Sequence, residues 1–262
     1  MAPAGGVLQQ SRLSFGEGFQ NMCAFELIRF ATAEELAEAV AAEWLRNLRQ
    51  TLSNAAPYCV ALLGGRIAGR FYASVVDQAK TSAAFNSVHF FWSDERCVPA
   101  TSQESNFALA YERLFEPLAI ADRQVHRVRG EAPPELAAAE AENELRSLAC
   151  LLPEGQPVLD LILLGMGEDG HVASLFPGEA EAVVNSQVVF RPVVGPKPPP
   201  QRITMGYPAI AAAREVWVLA SGVGKEVALR DSFSPNGRTP LARVLNSRHH
   251  TRIFTDIFSV PT

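Results

Sequence analysis

The sequence contains no apolar run near the roughly 18 residues that a membrane-spanning helix requires. Its first ten residues also lack the basic start and apolar core of a secretory signal. Runs of lysine and arginine are missing as well. The 23 basic and 28 acidic residues are interspersed and sum to a net charge of −5, so the electrostatic footprint of a nucleic-acid binder is absent. The four cysteines, Cys23, Cys59, Cys97 and Cys150, form no CxxC pair. That spacing argues against a zinc site or a disulfide framework and for reduced thiols in a cytoplasmic protein. No internal repeat or low-complexity tract is visible. What remains is an ordinary globular composition, 48% hydrophobic and 19% charged over 262 residues. Such a length buries about 70–75% of the surface of the unfolded chain.

Residues 1–20, rich in Gly and Ser and without period, read as a loose leader to a single domain over 21–262. Thr32 and Glu35 form the spacing of a capping box, followed by Leu36, Val40, Trp44, Leu45 and Leu48 at helical intervals. Apolar runs at 58–63, 88–92, 158–164 and 216–220 read as buried strands, with weaker candidates at 188–194, 203–205 and 252–255. Helices are expected over 105–115 and 135–152, around 225–230, and after Thr239-Pro240. Strands alternating with helices predict an α/β fold: a mainly parallel sheet with helices on both faces.

Ligands of such sheets bind beyond the carboxyl ends of the strands. Four strand ends carry chemistry. After 158–164 comes Gly165-Met166-Gly167-Glu168-Asp169-Gly170-His171. The glycines permit a tight turn, His171 can exchange a proton near neutral pH, and Asp169 is close enough to orient it. Val172 onward is expected to start a helix whose N-terminus favours an anion. After 88–92, Asp94 suits hydroxyls and Arg96 suits a phosphate. Cys97 has no histidine partner in the sequence and is set aside as a nucleophile. Leu63-Gly64-Gly65-Arg66 and Ser221-Gly222-Val223-Gly224-Lys225 are Gly-rich turns next to a cation. The proline-rich segment 195–200 is read as a stiff arm presenting Lys197 and Arg202. His249 and His250 are read as surface residues.

The segment from Gly165 to Gly178, together with Ser93-Asp94-Glu95-Arg96-Cys97-Val98-Pro99, resembles the signatures of the 6-phosphogluconolactonase family. Ser105-Asn106, Lys197-Pro198-Pro199-Pro200 with Arg202, and Gly224-Lys225 also fall where that family places its motifs. The resemblance implies the fold shared with glucosamine-6-phosphate deaminase and ribose-5-phosphate isomerase. It further implies hydrolysis of a sugar-phosphate lactone without metal or cofactor, by a monomer or weak homodimer. The deaminases add a glutamate five residues after the histidine; here that position is Phe176. The implied catalytic residues are His171 as general base and Asp169 as its orienter, with amides near 167–171 for the oxyanion. The implied substrate-binding residues are Gly64, Gly65, Arg66, Asp94, Arg96, Gly165, Gly167, Lys197, Arg202 and Lys225. The alternatives are a sugar-phosphate-binding pseudoenzyme and an aminosugar-phosphate deaminase or isomerase.

One departure concerns the first loop, which in the family reads Ser-Gly-Gly-x-Thr-Pro. Here Leu63, Ile67 and Ala68 replace the serine, threonine and proline. Loss of two hydroxyl donors is expected to weaken substrate binding without abolishing activity. The double replacement Leu63→Ser with Ile67→Thr should therefore lower the Michaelis constant, and an unchanged value would overturn the reading.

Overall fold

The computed structural model describes residues 9–13, 24–51 and 57–257. The elements are β1 (Gln9–Leu13), β2 (Ala24–Arg29), α1 (Ala33–Thr51), β3 (Tyr58–Leu62), α2 (Arg66–Ala79), β4 (Val88–Trp92) and β5 (Asp94–Arg96). There follow α3 (Asn106–Ala110), α4 (Glu116–Leu118), α5 (Pro134–Leu148), β6 (Cys150–Leu151), β7 (Pro157–Val158) and β8 (Leu161–Gly165). The last third holds α6 (Glu181–Val184), β9 (Phe190–Val194), β10 (Gln201–Met205), α7 (Tyr207–Ala212), β11 (Glu215–Ala220), α8 (Glu226–Ser232), α9 (Pro240–Asn246) and β12 (His250–Thr255).

The main sheet has the order β1-β2-β12-β11-β8-β3-β4. Every pairing in it is parallel except that of β1 with β2. Part of the segment read as a loose leader is thus an edge strand, held by backbone pairing that its composition did not signal. The central strands β3 and β8 are almost wholly buried, as strands covered on two faces should be. Neighbouring residues of β2 show the two covers, because successive side chains point to opposite faces. Glu26 meets Arg252, which also reaches Glu43 of α1, while Phe25 stacks on Phe233 at the end of α8.

Local chemistry accounts for the helix starts. Glu35 donates its N–H to Thr32 Oγ1 at 3.1 Å, and its carboxylate accepts from the Ala31 N–H at 3.0 Å, so a capping box opens α1. The α1 face at Leu36, Val40, Trp44 and Leu48 is fully buried. Trp44 lies 5.6 Å from Phe71 of α2 and 5.5 Å from Phe85. Truncating such a residue to Ala costs about 3–5 kcal/mol.

Several boundaries differ from the sequence reading. The helix expected over 135–152 ends at Leu148, because Pro153 disfavours helical geometry before it and Cys150–Leu151 pair with Pro157–Val158. The strand expected over 158–164 is split at Asp160, whose N–H and carboxylate bond the Cys59 carbonyl and N–H. Between α3 and α4, residues Tyr111–Phe115 form a π-helical turn. Helix α2 went unread, although Ile67, Ala68, Phe71, Tyr72 and Val75 form its buried stripe. A second, antiparallel sheet of order β5-β10-β9 also went unread. Cys59 is buried, Cys97 half-buried and Cys150 exposed, all three as free thiols; Cys23 lies outside the described residues.

At the β4 edge, His89 Nδ1 and His126 Nε2 are 2.8 Å apart, and His126 Nδ1 is 2.8 Å from Glu144. Burial, then the charge of His126, then that of Arg123 hold His89 below its ordinary pKa of 6.5. The unfolded chain therefore takes up this proton at a higher pH than the folded one does. The contribution to stability is complete above that value and declines as the pH falls below it. His89→Gln should flatten the loss of thermal stability between about pH 7.5 and pH 5.5, and an unchanged slope would exclude His89 as its source.

Candidate active site

β3 has β4 on one side and β8 on the other. The chain runs outward from β3 to β4, then returns through β8, β11 and β12 in the opposite direction, so the strand order reverses between β3 and β8. A crevice opens at the carboxyl ends of strands at such a point. Gly64 and Gly165 face one another there: a Cβ on Gly165 would lie 3.6 Å from the Gly64 carbonyl. The resulting cleft of about 460 Å³ takes residues from the ends of all six parallel strands. Of the sequence-predicted site residues, Gly64, Gly65, Arg66, Asp94, Arg96, Gly165, Gly167, His171, Arg202 and Lys225 line it.

His171 is held by a loop folded back on itself. The N–H of Gly167 donates to the His171 carbonyl at 2.9 Å, and that of Gly170 to the Gly167 carbonyl at 3.1 Å. No helix follows His171; the next one is α6. The first helical bonds are pre-empted, since the Gly170 carbonyl accepts from Leu241 and the Ser174 N–H goes to Thr204 Oγ1. The expected helix N-terminus at this point is therefore absent. The amides of Gly167, Gly170 and His171 are spent inside the loop and do not serve an oxyanion.

Asp169 Oδ1 accepts the Nδ1–H of His171 at 2.5 Å. Burial pushes the Asp169 carboxyl up, but the hydrogen bond and charge of His171 outweigh it and hold the group below its ordinary value. With Nδ1 occupied, Nε2 is the nitrogen left for a ligand. Phe176 packs against the imidazole, ring centroids 5.0 Å apart, and the Arg202 guanidinium lies over the Phe176 ring, 5.7 Å from its centroid. Gly167 makes room for the ring: a Cβ there would sit 2.1 Å from the imidazole.

The second sheet supplies two cations. Arg96 of β5 and Arg202 of β10 are direct partners across an antiparallel pair, an unfavourable arrangement for like charges. Arg96 Nη1 donates to the Glu104 carbonyl at 2.7 Å, while its Nε is buried without a partner. Burial and then the charge of Arg96 lower the pKa of Arg202. Arg202 is steadied by the carbonyls of Pro199 and Lys197, at 3.0 and 3.3 Å. The proline arm thus positions Arg202 through its backbone. It turns Lys197 away from the cleft lining, where the exposed ammonium meets Glu168 at 3.5 Å.

The other cation pair sits at the start of α2. Gly65, with φ +84°, turns the chain into the helix and leaves its N-terminus without a side-chain cap. Arg66 opens the helix. Lys225 lies close enough that burial, then the charge of Arg66, lower its pKa, while Asp256 and Glu168 oppose the change. Of the altered first-loop residues, Ile67 lines the cleft, whereas Leu63 is fully buried and does not. Only the lost threonine hydroxyl therefore changes the cleft surface.

Asp94 does less for a ligand than expected. Its Oδ2 accepts from Ser174 Oγ at 2.6 Å and its Oδ1 from Asn106 Nδ2 at 3.4 Å, in a buried web. Beside it, Glu95 accepts from the N–H groups of Asn106, Phe107 and Arg96 and from Ser105 Oγ. Burial raises the Glu95 pKa despite these four donors. Glu95 thus ties α3 to β5 and fixes the strand that carries Arg96. The sequence reading missed Arg70 and Asp256 and gave no role to Glu95 and Ser221 within the segments it singled out; Arg70, Ser221 and Asp256 line the cleft. For Ser221 and Asp256 the available signal was position, one residue beyond a strand. His249 and His250 are exposed, as expected.

A family profile described as Glucosamine-6-phosphate isomerases/6-phosphogluconolactonase matches residues 31–254. The chain belongs to this family. A probable chloroplastic 6-phosphogluconolactonase 3 of Oryza sativa subsp. indica is 34% identical over 214 residues, which cover 79% of this chain and 65% of the rice protein. The chain thus spans just under two thirds of that relative. The 6-phosphogluconolactonase of Treponema pallidum (strain Nichols) is 36% identical over 213 residues, 79% of this chain and 86% of the relative. The solved structure of the 6-phosphogluconolactonase from Trypanosoma brucei superposes with a TM-score of 0.76 at 29% identity, covering 87% of this chain and 95% of the other.

In Gly167→Ala the new methyl should displace the imidazole. The downfield Nδ1 proton resonance of the Asp169–His171 bond is then expected to vanish from the NMR spectrum while the circular dichroism stays native. Its survival would show that the ring is not seated on Gly167.

Proposed function

We propose that this chain hydrolyses 6-phospho-D-glucono-1,5-lactone to 6-phosphogluconate, the lactonase step of the oxidative pentose phosphate pathway. The observation that carries the reading is the Asp169–His171 pair, with Nδ1 engaged and Nε2 left for chemistry in a cleft lined by five cations, Arg66, Arg70, Arg96, Arg202 and Lys225. A δ-lactone is an activated ester, so a general base is sufficient and no metal is invoked. His171 takes a proton from water as the oxygen attacks the lactone carbonyl. Asp169 holds the ring and stabilises the imidazolium that forms. His171 then returns the proton to the departing ring oxygen. Such acid–base help contributes on the order of 10²- to 10⁴-fold.

Because the Gly167, Gly170 and His171 amides are spent, the carbonyl charge is assigned to Arg202 and Arg96, which line the same cleft as His171. A donor aimed at a developing oxyanion is worth about 3–4 kcal/mol. The phosphate is assigned to Arg66, Lys225 and the uncapped amides at the start of α2. The family also contains deaminases, but the position of their ring-opening glutamate is Phe176, packed on His171. The free thiols favour a cytoplasmic setting, and no helix among the described residues is long and apolar enough to cross a membrane.

The test is hydrolysis of freshly generated lactone above the spontaneous background, with a chelator present. The wild type should turn over, and His171→Ala should lose on the order of 10²-fold or more with the fold intact. Absence of wild-type acceleration would replace this reading with that of a sugar-phosphate-binding protein. Full turnover by the variant would remove His171 from the mechanism.

A further inference from the structure

We propose that Asp256, just beyond β12, is a positioning residue for the phosphate site: it anchors the turn that leads to Lys225 and keeps a negative charge opposite that ammonium. The proposal rests on the assignment of Lys225 to the phosphate. Asp256 Oδ2 accepts from Ser221 Oγ at 2.8 Å and Oδ1 from the Gly222 N–H at 3.1 Å, so both carboxylate oxygens grip the turn after β11. Asp256 and Lys225 line the same cleft. The charged groups facing Lys225 come from three elements: Arg66 from α2, Glu168 from the His171 loop and Asp256 from the end of β12. Burial and Arg66 favour loss of the Lys225 proton; the two carboxylates oppose it. Glu168 is more than half exposed and shared with Lys197, so solvent screens it as a counter-charge. Asp256 is the one fixed by hydrogen bonds from the backbone that it stabilises. Without it, the ammonium would face Arg66 with only a solvated partner and would lose its proton at lower pH, and with it its hold on a phosphate.

The chain has three lysines, Lys80, Lys197 and Lys225, so their titration is separable by NMR with Lys225→Arg as the assignment control. Asp256→Asn keeps an acceptor for Gly222 and removes the charge. In the ligand-free variant Lys225 should titrate at lower pH. The Michaelis constant for the lactone should rise about 10-fold with kcat nearly unchanged, the pattern of lost uniform binding, and the alkaline limb of kcat/KM should move to lower pH. Asp256→Glu should restore the limb. An unshifted Lys225 titration overturns the role of Asp256 and leaves the lactonase reading intact. A shifted titration with an unchanged Michaelis constant overturns the assignment of Lys225 to the phosphate, and with it the catalytic relevance of Asp256.

Discussion

β3 and β8 lie side by side and parallel, yet the chain leaves them in opposite directions. That divergence opens the crevice in which every assigned group meets. At the end of β3 the backbone packs so closely that a Cβ on Gly64 would overlap the Asn106 carboxamide. The same constraint governs Gly167, whose missing side chain is the space occupied by His171. The buried runs of β3 and β8 hold the two loops at a fixed separation, since neither strand can slide without exposing apolar residues on both faces.

Around the crevice, positive charge is held in arrangements that disfavour it in the free protein. Arg96 and Arg202 face each other across two strands, and Lys225 faces Arg66. Like charges in a partly desolvated cleft repel, and an anion between them relieves the repulsion. The negative net charge of −5 therefore coexists with a local cluster of positive charge, because the field in the cleft is local and screened from the distant surface. The cations and the His171 loop are held in place by hydrogen bonds from neighbouring groups. Glu95 binds the start of α3 to the strand of Arg96, the Pro199 and Lys197 carbonyls steady Arg202, and Asp94 joins Ser174 of the His171 loop to Asn106 of α3.

Much of this was legible before any coordinates. The capping box at Thr32 and Glu35, the apolar runs at β3, β4, β8 and β11, and the Gly-rich strand ends all depend on short-range chemistry: hydrogen-bond geometry over three residues, or apolar periodicity over five. The pairing of Asp169 with His171 is also local, two residues apart on one loop. The edge strand β1 was not legible, because pairing with β2 places it and the Gly- and Ser-rich stretch around it shows no strand period.

The sequence by itself determined the α/β alternation, the turn-forming glycines, the Asp169–His171 dyad and the identity of the cations. Tertiary structure alone decided which cations are neighbours. The Arg96–Arg202 pair depends on a register between β5 and β10 that spans about a hundred residues, and Arg66 meets Lys225 across the crevice. It also decided that no helix follows His171, since the carbonyl and amide that would start one are claimed by Leu241 and Thr204. It turned Lys197 outward and brought in Asp256. The physical reason is common to all four: each outcome is a competition for hydrogen bonds or space with a distant partner, and local propensity carries no information about the competitor.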